Sequence, residues 1–141
     1  MTPGGAPAAG SARMDGVDVV GLALTTALEL PGASLDHPFG PDWDVVKVGG
    51  KVFLLATDLR GEPVVTLKCD PEDGLSLRQE HEEITAGYHM NKRHWLTVRG
   101  GPGVCPALLE ELVEGSWALV VAGLPRDRRP LAVTAAAPPP P

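Results

Sequence analysis

A two-layer α+β sandwich, with an antiparallel sheet covered by helices on one face only, is the fold this sequence predicts. Three observations point to it. Apolar residues recur at helical spacing near the start, in the middle and near the end of the chain. The stretches between them are rich in β-branched residues and joined by glycine turns, which pair strands as antiparallel hairpins and leave one sheet face to solvent. The 141 residues, with ends rich in Gly, Pro and Ala, leave an ordered part of about 110 residues, enough for one core and too few for a second domain.

The elements follow in chain order. Residues 1–12 are small and carry no apolar pattern, so they are expected to be disordered, and the single domain is expected over residues 13–125. Asp15 is a good N-cap, Asp18 sits near the first turn, and Val17, Val20, Leu24 and Leu28 make an apolar stripe that Pro31-Gly32 ends. Val45 to Val48 and Lys51 to Leu55 flank Gly49-Gly50, a two-residue turn whose positions both accept positive φ without a Cβ penalty. In that register Val48 faces Lys51 and Val46 faces Phe53. Val46, Val48, Phe53 and Leu55 then share one side of the sheet, while Lys47 and Lys51 point opposite ways.

Pro63 to Cys69 reads as a further strand, with Val65, Leu67 and Cys69 on its apolar side and Val64, Thr66 and Lys68 on the other. Asp70-Pro71 supplies an N-cap and a first helical residue for a helix with Leu77, His81 and Ile84 on one face. His94 to Arg99 has the β-branched and aromatic content of a strand. The segment from Pro106 to about Ala122 closes the domain as a helix, with Gly115 as its weak point. Residues 126–141 end in four prolines and are expected to be a disordered tail.

Charge narrows the function. A formal net charge of −6 argues against a general nucleic-acid coat, because long-range phosphate attraction scales with the positive field a protein presents, so any such binding must be local. Cys69 and Cys105 lie far apart, and no basic and apolar leader precedes the domain, so both are read as reduced, buried thiols of a cytoplasmic protein. No apolar run is long enough to span a membrane.

The densest chemistry lies in Gly87-Tyr88-His89-Met90-Asn91-Lys92-Arg93-His94-Trp95. Together with Lys47-Val48-Gly49-Gly50-Lys51-Val52-Phe53, Leu67-Lys68-Cys69-Asp70-Pro71-Glu72 and the opening Leu30-Pro31-Gly32-Ala33, this run resembles successive motifs of the MmcQ/YjbR family, over about residues 15 to 125. Ala86 stands where the family leads one to expect Pro, and Trp117 where Tyr is usual. The resemblance implies a fold similar to frataxin and type III secretion chaperones, and DNA as a ligand.

Strand alternation collects Lys47, Thr66, Lys68, Trp95, Thr97 and Arg99 on the open face, a basic surface with an aromatic platform suited to phosphates and planar groups. Asn91, Lys92, Arg93 and His94 precede a strand, where donors at a loop tip can contact a phosphate backbone or an acidic partner. The bland alternative is ordinary solvated residues, with Trp95 capping the core edge and Asn91 fixing a turn. His89 and His94 lack a carboxylate or Cys at metal-ligand spacing, and His81-Glu82 has no second histidine one helical turn on, so no metal or cofactor is expected.

No catalytic residue is expected either, since Ser34, Ser76 and Ser116 lack a nucleophile context and Cys105 lacks a base. The expectation is a small non-enzymatic binding protein using Lys47, Lys68, His89, Asn91, Lys92, Arg93, His94, Trp95 and Arg99, with weak, salt-sensitive DNA binding. The alternatives are a protein-interaction or chaperone-like module using the open sheet face, and a planar small-molecule binder over Trp95.

Overall fold

In the computed structural model, which describes residues 18–87 and 93–130, six strands form one antiparallel sheet, and three helices contribute to the core on one side of it. The chain order is α1 (Val19–Leu28), β1 (Ala33–Asp36), β2 (Asp44–Val48), β3 (Lys51–Leu59), β4 (Glu62–Lys68), α2 (Pro71–Glu80), β5 (Ile84–Ala86), β6 (Trp95–Arg99) and α3 (Pro106–Ala122). Spatially the strands run β1-β2-β3-β4-β6-β5, so β6 returns past β5 to pair with β4. This is the α+β sandwich that the sequence predicts.

Local chemistry sets each element. Asp18 caps α1 by accepting the Gly21 N–H at 2.9 Å. The expected cap Asp15 lies outside the described residues, and the buried stripe is Val19, Ala23 and Ala27 rather than one through Leu28, which is exposed. Helix α1 packs against α3, and the two alanines let the helices approach where leucines would hold them apart.

The Gly49-Gly50 turn forms as expected, with φ of +58° and +82°. Val48 pairs with Lys51, but Lys47 pairs with Val52 and Val46 with Leu54, so Phe53 is the extra residue of a β-bulge. Phe53 and Leu54 therefore both enter the core, and Leu55 moves to the opposite face, correcting the expected Val46–Phe53 pairing. Ser116 of α3 occupies the gap: its Oγ donates to the Phe53 carbonyl and accepts the Lys68 N–H.

Asp70 caps α2 as expected, accepting from the N–H groups of Glu72 and Asp73, with Pro71 in first position. The helix stops at Glu80, so His81 and Ile84 do not continue its face, and Ile84 instead opens β5. Helix α3 runs unbroken through Gly115. Beyond it, a 3-10 turn (Arg126–Arg128) follows, and the Arg129 guanidinium donates to the carbonyls of Leu124 and Ala122, so the described fold passes the boundary expected at residue 125. Both cysteines are free thiols, Cys69 half-buried and Cys105 exposed, so the expected burial of Cys105 does not hold.

The core lies between the sheet and the helices, around Phe53, Leu54, Leu67, Leu96 and Leu109. The other face is not bare. Val45, Leu55, Val64, Thr66 and Thr97 are buried there, with the Thr66 and Thr97 hydroxyls 3.3 Å apart, so a ligand on that face has only its margins to touch. Among the described residues no helix is long and apolar enough to cross a membrane.

Candidate functional site

Strand register decides which of the expected residues meet. Lys68 pairs with Trp95, and Lys47 pairs with Val52 beside the bulge, so Lys47, Lys68 and Trp95 stand at one end of the outer face. Two inter-strand spacings put Lys47 roughly 10 Å from Lys68 at the backbone. Arg99 shares that face but pairs with Val64 at the opposite end, roughly 13 Å along β6 from Trp95. Arg93, exposed, and His94, half-buried, lead directly into Trp95. His89, Asn91 and Lys92 lie outside the described residues.

Lys47 and Arg99 each face a carboxylate. Lys47 Nζ is 3.2 Å from Asp36 Oδ2, and Arg99 Nη1 is 4.0 Å from Glu62 Oε2. The His37 N–H and then Lys47 hold the Asp36 carboxyl below the usual carboxylate range. Lys68, by contrast, has no carboxylate within ion-pair distance among the described residues.

Lys68 and Trp95 border a hollow of about 370 Å³ that also takes in Lys51 and Val52 from β3, and Leu119 and Leu124 from the end of α3. Lys51 is the residue that sequence reasoning set aside. It lies on the helix side of the sheet, as the hairpin register predicts, and that side brings it to the mouth of this hollow. Lys51 is exposed and likewise has no carboxylate within ion-pair distance among the described residues.

The 3-10 turn sits against the same hairpin, since a Cβ on Gly49 would lie 2.5 Å from Leu124 Cδ1 and 3.0 Å from the Arg128 carbonyl. The exposed Arg126 and Arg128 therefore stand near the hollow. The opposite end of the sheet is acidic, with Asp18, Asp42, Asp44 and Asp58 around a second hollow. One end of the strands is thus purely acidic, while at the other Lys51 and Lys68 stand at the hollow and Asp70, Asp73, Glu80 and Glu111 share a neighbouring cleft with Lys68.

The arrangement offers an indole edged by cationic groups and an apolar back wall, suited to a flat group carrying negative charge. Among the described residues no group of three or more His, Cys, Asp or Glu side chains could hold a metal ion. His37 Nε2 and Asp44 Oδ1 lie 2.8 Å apart, but this exposed pair closes the segment between β1 and β2.

A family model described as YjbR matches residues 28–119. The protein YbdF of Escherichia coli O157:H7 is 47% identical over 117 residues, covering 82% of this chain and 96% of YbdF. YjbR of Escherichia coli K12 is 33% identical over 112 residues, covering 78% of this chain and 93% of its own length. Among solved structures, a Deinococcus radiodurans protein superposes with a TM-score of 0.67 at 36% identity, over 74% of this chain and 80% of its own. A Pseudomonas syringae protein gives 0.56 at 32% identity, over 62% and 86%. None of these names assigns an activity.

Proposed function

The chain belongs to the YjbR family, and on that premise we propose that it is a small non-enzymatic protein that binds single-stranded DNA at the hollow between Lys51, Lys68 and Trp95. One observation carries the reading: an indole and two lysines, neither lysine in an ion pair with a described residue, border the same cavity. Stacking a base on an aromatic ring contributes roughly 1–3 kcal/mol with little sequence preference. The lysines, with Arg126 and Arg128 alongside, add phosphate contacts. A duplex keeps its bases stacked on each other and gains only the phosphate part.

About three phosphate contacts give a salt exponent near −2 on a single strand, so affinity should fall by more than tenfold between 50 and 200 mM salt. The test is a titration of labelled single-stranded and duplex oligonucleotides at both salt concentrations. Wild type should prefer the single strand and weaken with salt. Lys51→Glu with Lys68→Glu should abolish binding, Lys92→Glu with Arg93→Glu should weaken it, and Trp95→Phe should reduce the single-strand preference. Binding indifferent to the Lys51 and Lys68 reversals would overturn the proposal.

A further inference from the structure

We infer that the cleft between α2 and α3 is a docking groove for a partner protein's amphipathic helix whose apolar ridge is flanked by lysines or arginines. The cleft holds about 430 Å³, within the range of sites that bury a ligand. One wall is an α3 stripe of Leu108, Leu112, Gly115 and Leu119, and it faces Leu77 and the more polar side of α2. The spacing of the α3 residues keeps them on one side of the helix, which makes a continuous apolar wall. Leu119 is left 39% exposed along it.

Gly115 is the informative residue. A glycine inside a 17-residue helix weakens that helix relative to alanine, and its usual structural reason is the close approach of another element. Here a Cβ at position 115 would meet nothing within 4 Å. The chain's own described packing therefore gives no reason for the glycine. A helix seated in the cleft does, because a residue without a side chain lets a second helix backbone come close.

Charge selects the occupant. Asp70 at the start of α2, Asp73 and Glu80 within it, and Glu111 of α3 line the groove, and among the described residues Lys68 is the one cation lining it. That negative field favours lysines or arginines on the flanks of an incoming helix and repels acidic ones. The groove adjoins the hollow at Trp95, with Lys68 and Leu119 bordering both, but this inference does not depend on DNA binding there.

The test titrates the full chain with a fluorescein-labelled peptide of about 15 residues, with leucines at helical spacing and flanking lysines. Two controls accompany it: the same peptide with glutamates for lysines, and a lysine-matched scramble that breaks the leucine spacing. Only the first peptide should bind saturably. Gly115→Met fills the groove with a better helix former, so it should weaken peptide binding at least about tenfold while leaving the melting temperature equal or higher. Glu80→Lys with Glu111→Lys should weaken it similarly. Absence of saturable binding by the leucine–lysine peptide, equal binding of the scramble, or indifference to Gly115→Met would each overturn the inference.

Discussion

Glu83 shows how much one side chain can organise. The residue is 3% exposed, its carboxylate accepts the Gly103 N–H at 2.9 Å, and its backbone carbonyl accepts the Arg99 N–H. A Cβ on Gly101 or Gly103 would sit 2.6 or 2.5 Å from atoms of that side chain, so only glycines let the loop close over it. The Gly103 hydrogen bond, and then its own backbone N–H, hold the carboxyl below the usual range against the opposing effect of burial. A carboxylate with a lowered folded pKa stabilises the fold fully above its unfolded value, about 4.3, and loses that contribution as pH falls through the folded value. Glu83→Gln keeps an acceptor for Gly103 but cannot titrate. Urea unfolding between about pH 5 and pH 3 should therefore show a flatter loss of stability than wild type, and equal slopes would mean the charge contributes nothing. Nothing in the sequence marks this residue, because no local pattern distinguishes Glu83 from the neighbouring Glu80 and Glu82.

Where elements meet, Ser116 is the side chain on which the sheet's continuity depends. The bulge at Phe53 leaves a β3 carbonyl and the Lys68 N–H without each other, and the fully buried Ser116 hydroxyl serves both. Ser116→Ala strands a buried acceptor and a half-buried donor, so it should destabilise by roughly 1–3 kcal/mol, read as a lower urea midpoint with little change in slope. A loss below about 0.5 kcal/mol would show that the groups find other partners. The bulge also explains what could be read in advance. Asp70-Pro71, Gly49-Gly50 and the Pro106 to Ala122 periodicity specify local geometry, and each formed as expected. The slip at Phe53 depends on a serine 63 positions away, which no local pattern reveals. Strands β1 and β5, of four and three residues, are too short for an alternation to register. The shared face of Lys47, Lys68, Trp95 and Arg99 was legible because period-2 alternation survives the bulge. The Asp36 partner of Lys47 was not, since it sits on an unread strand, and Arg126 and Arg128 were hidden by the tail's composition.

Across the whole molecule the question is whether an acidic protein can hold DNA, and the answer turns on distance against screening. Lys51 opens β3 at the basic end and Asp58 lies near its other end, seven residues on, so the two are roughly 23 Å apart at about 3.3 Å per residue. At 0.15 M salt the Debye length is about 8 Å, so nearly three screening lengths separate them and the acidic end scarcely weakens the field at the hollow. At 0.01 M the length is about 30 Å and both ends act on the same ligand. Asp42→Asn with Asp58→Asn should therefore leave single-strand affinity within about twofold of wild type at 0.15 M yet raise it clearly at 0.01 M, whereas Lys51→Glu with Lys68→Glu should remove binding at both. Fluorescence anisotropy on the same labelled oligonucleotide compares wild type and both variants at each salt concentration directly. If neutralising the acidic end raises affinity as much at high salt as at low, the total charge of −6 governs the encounter and the basic end has no independent hold on the strand.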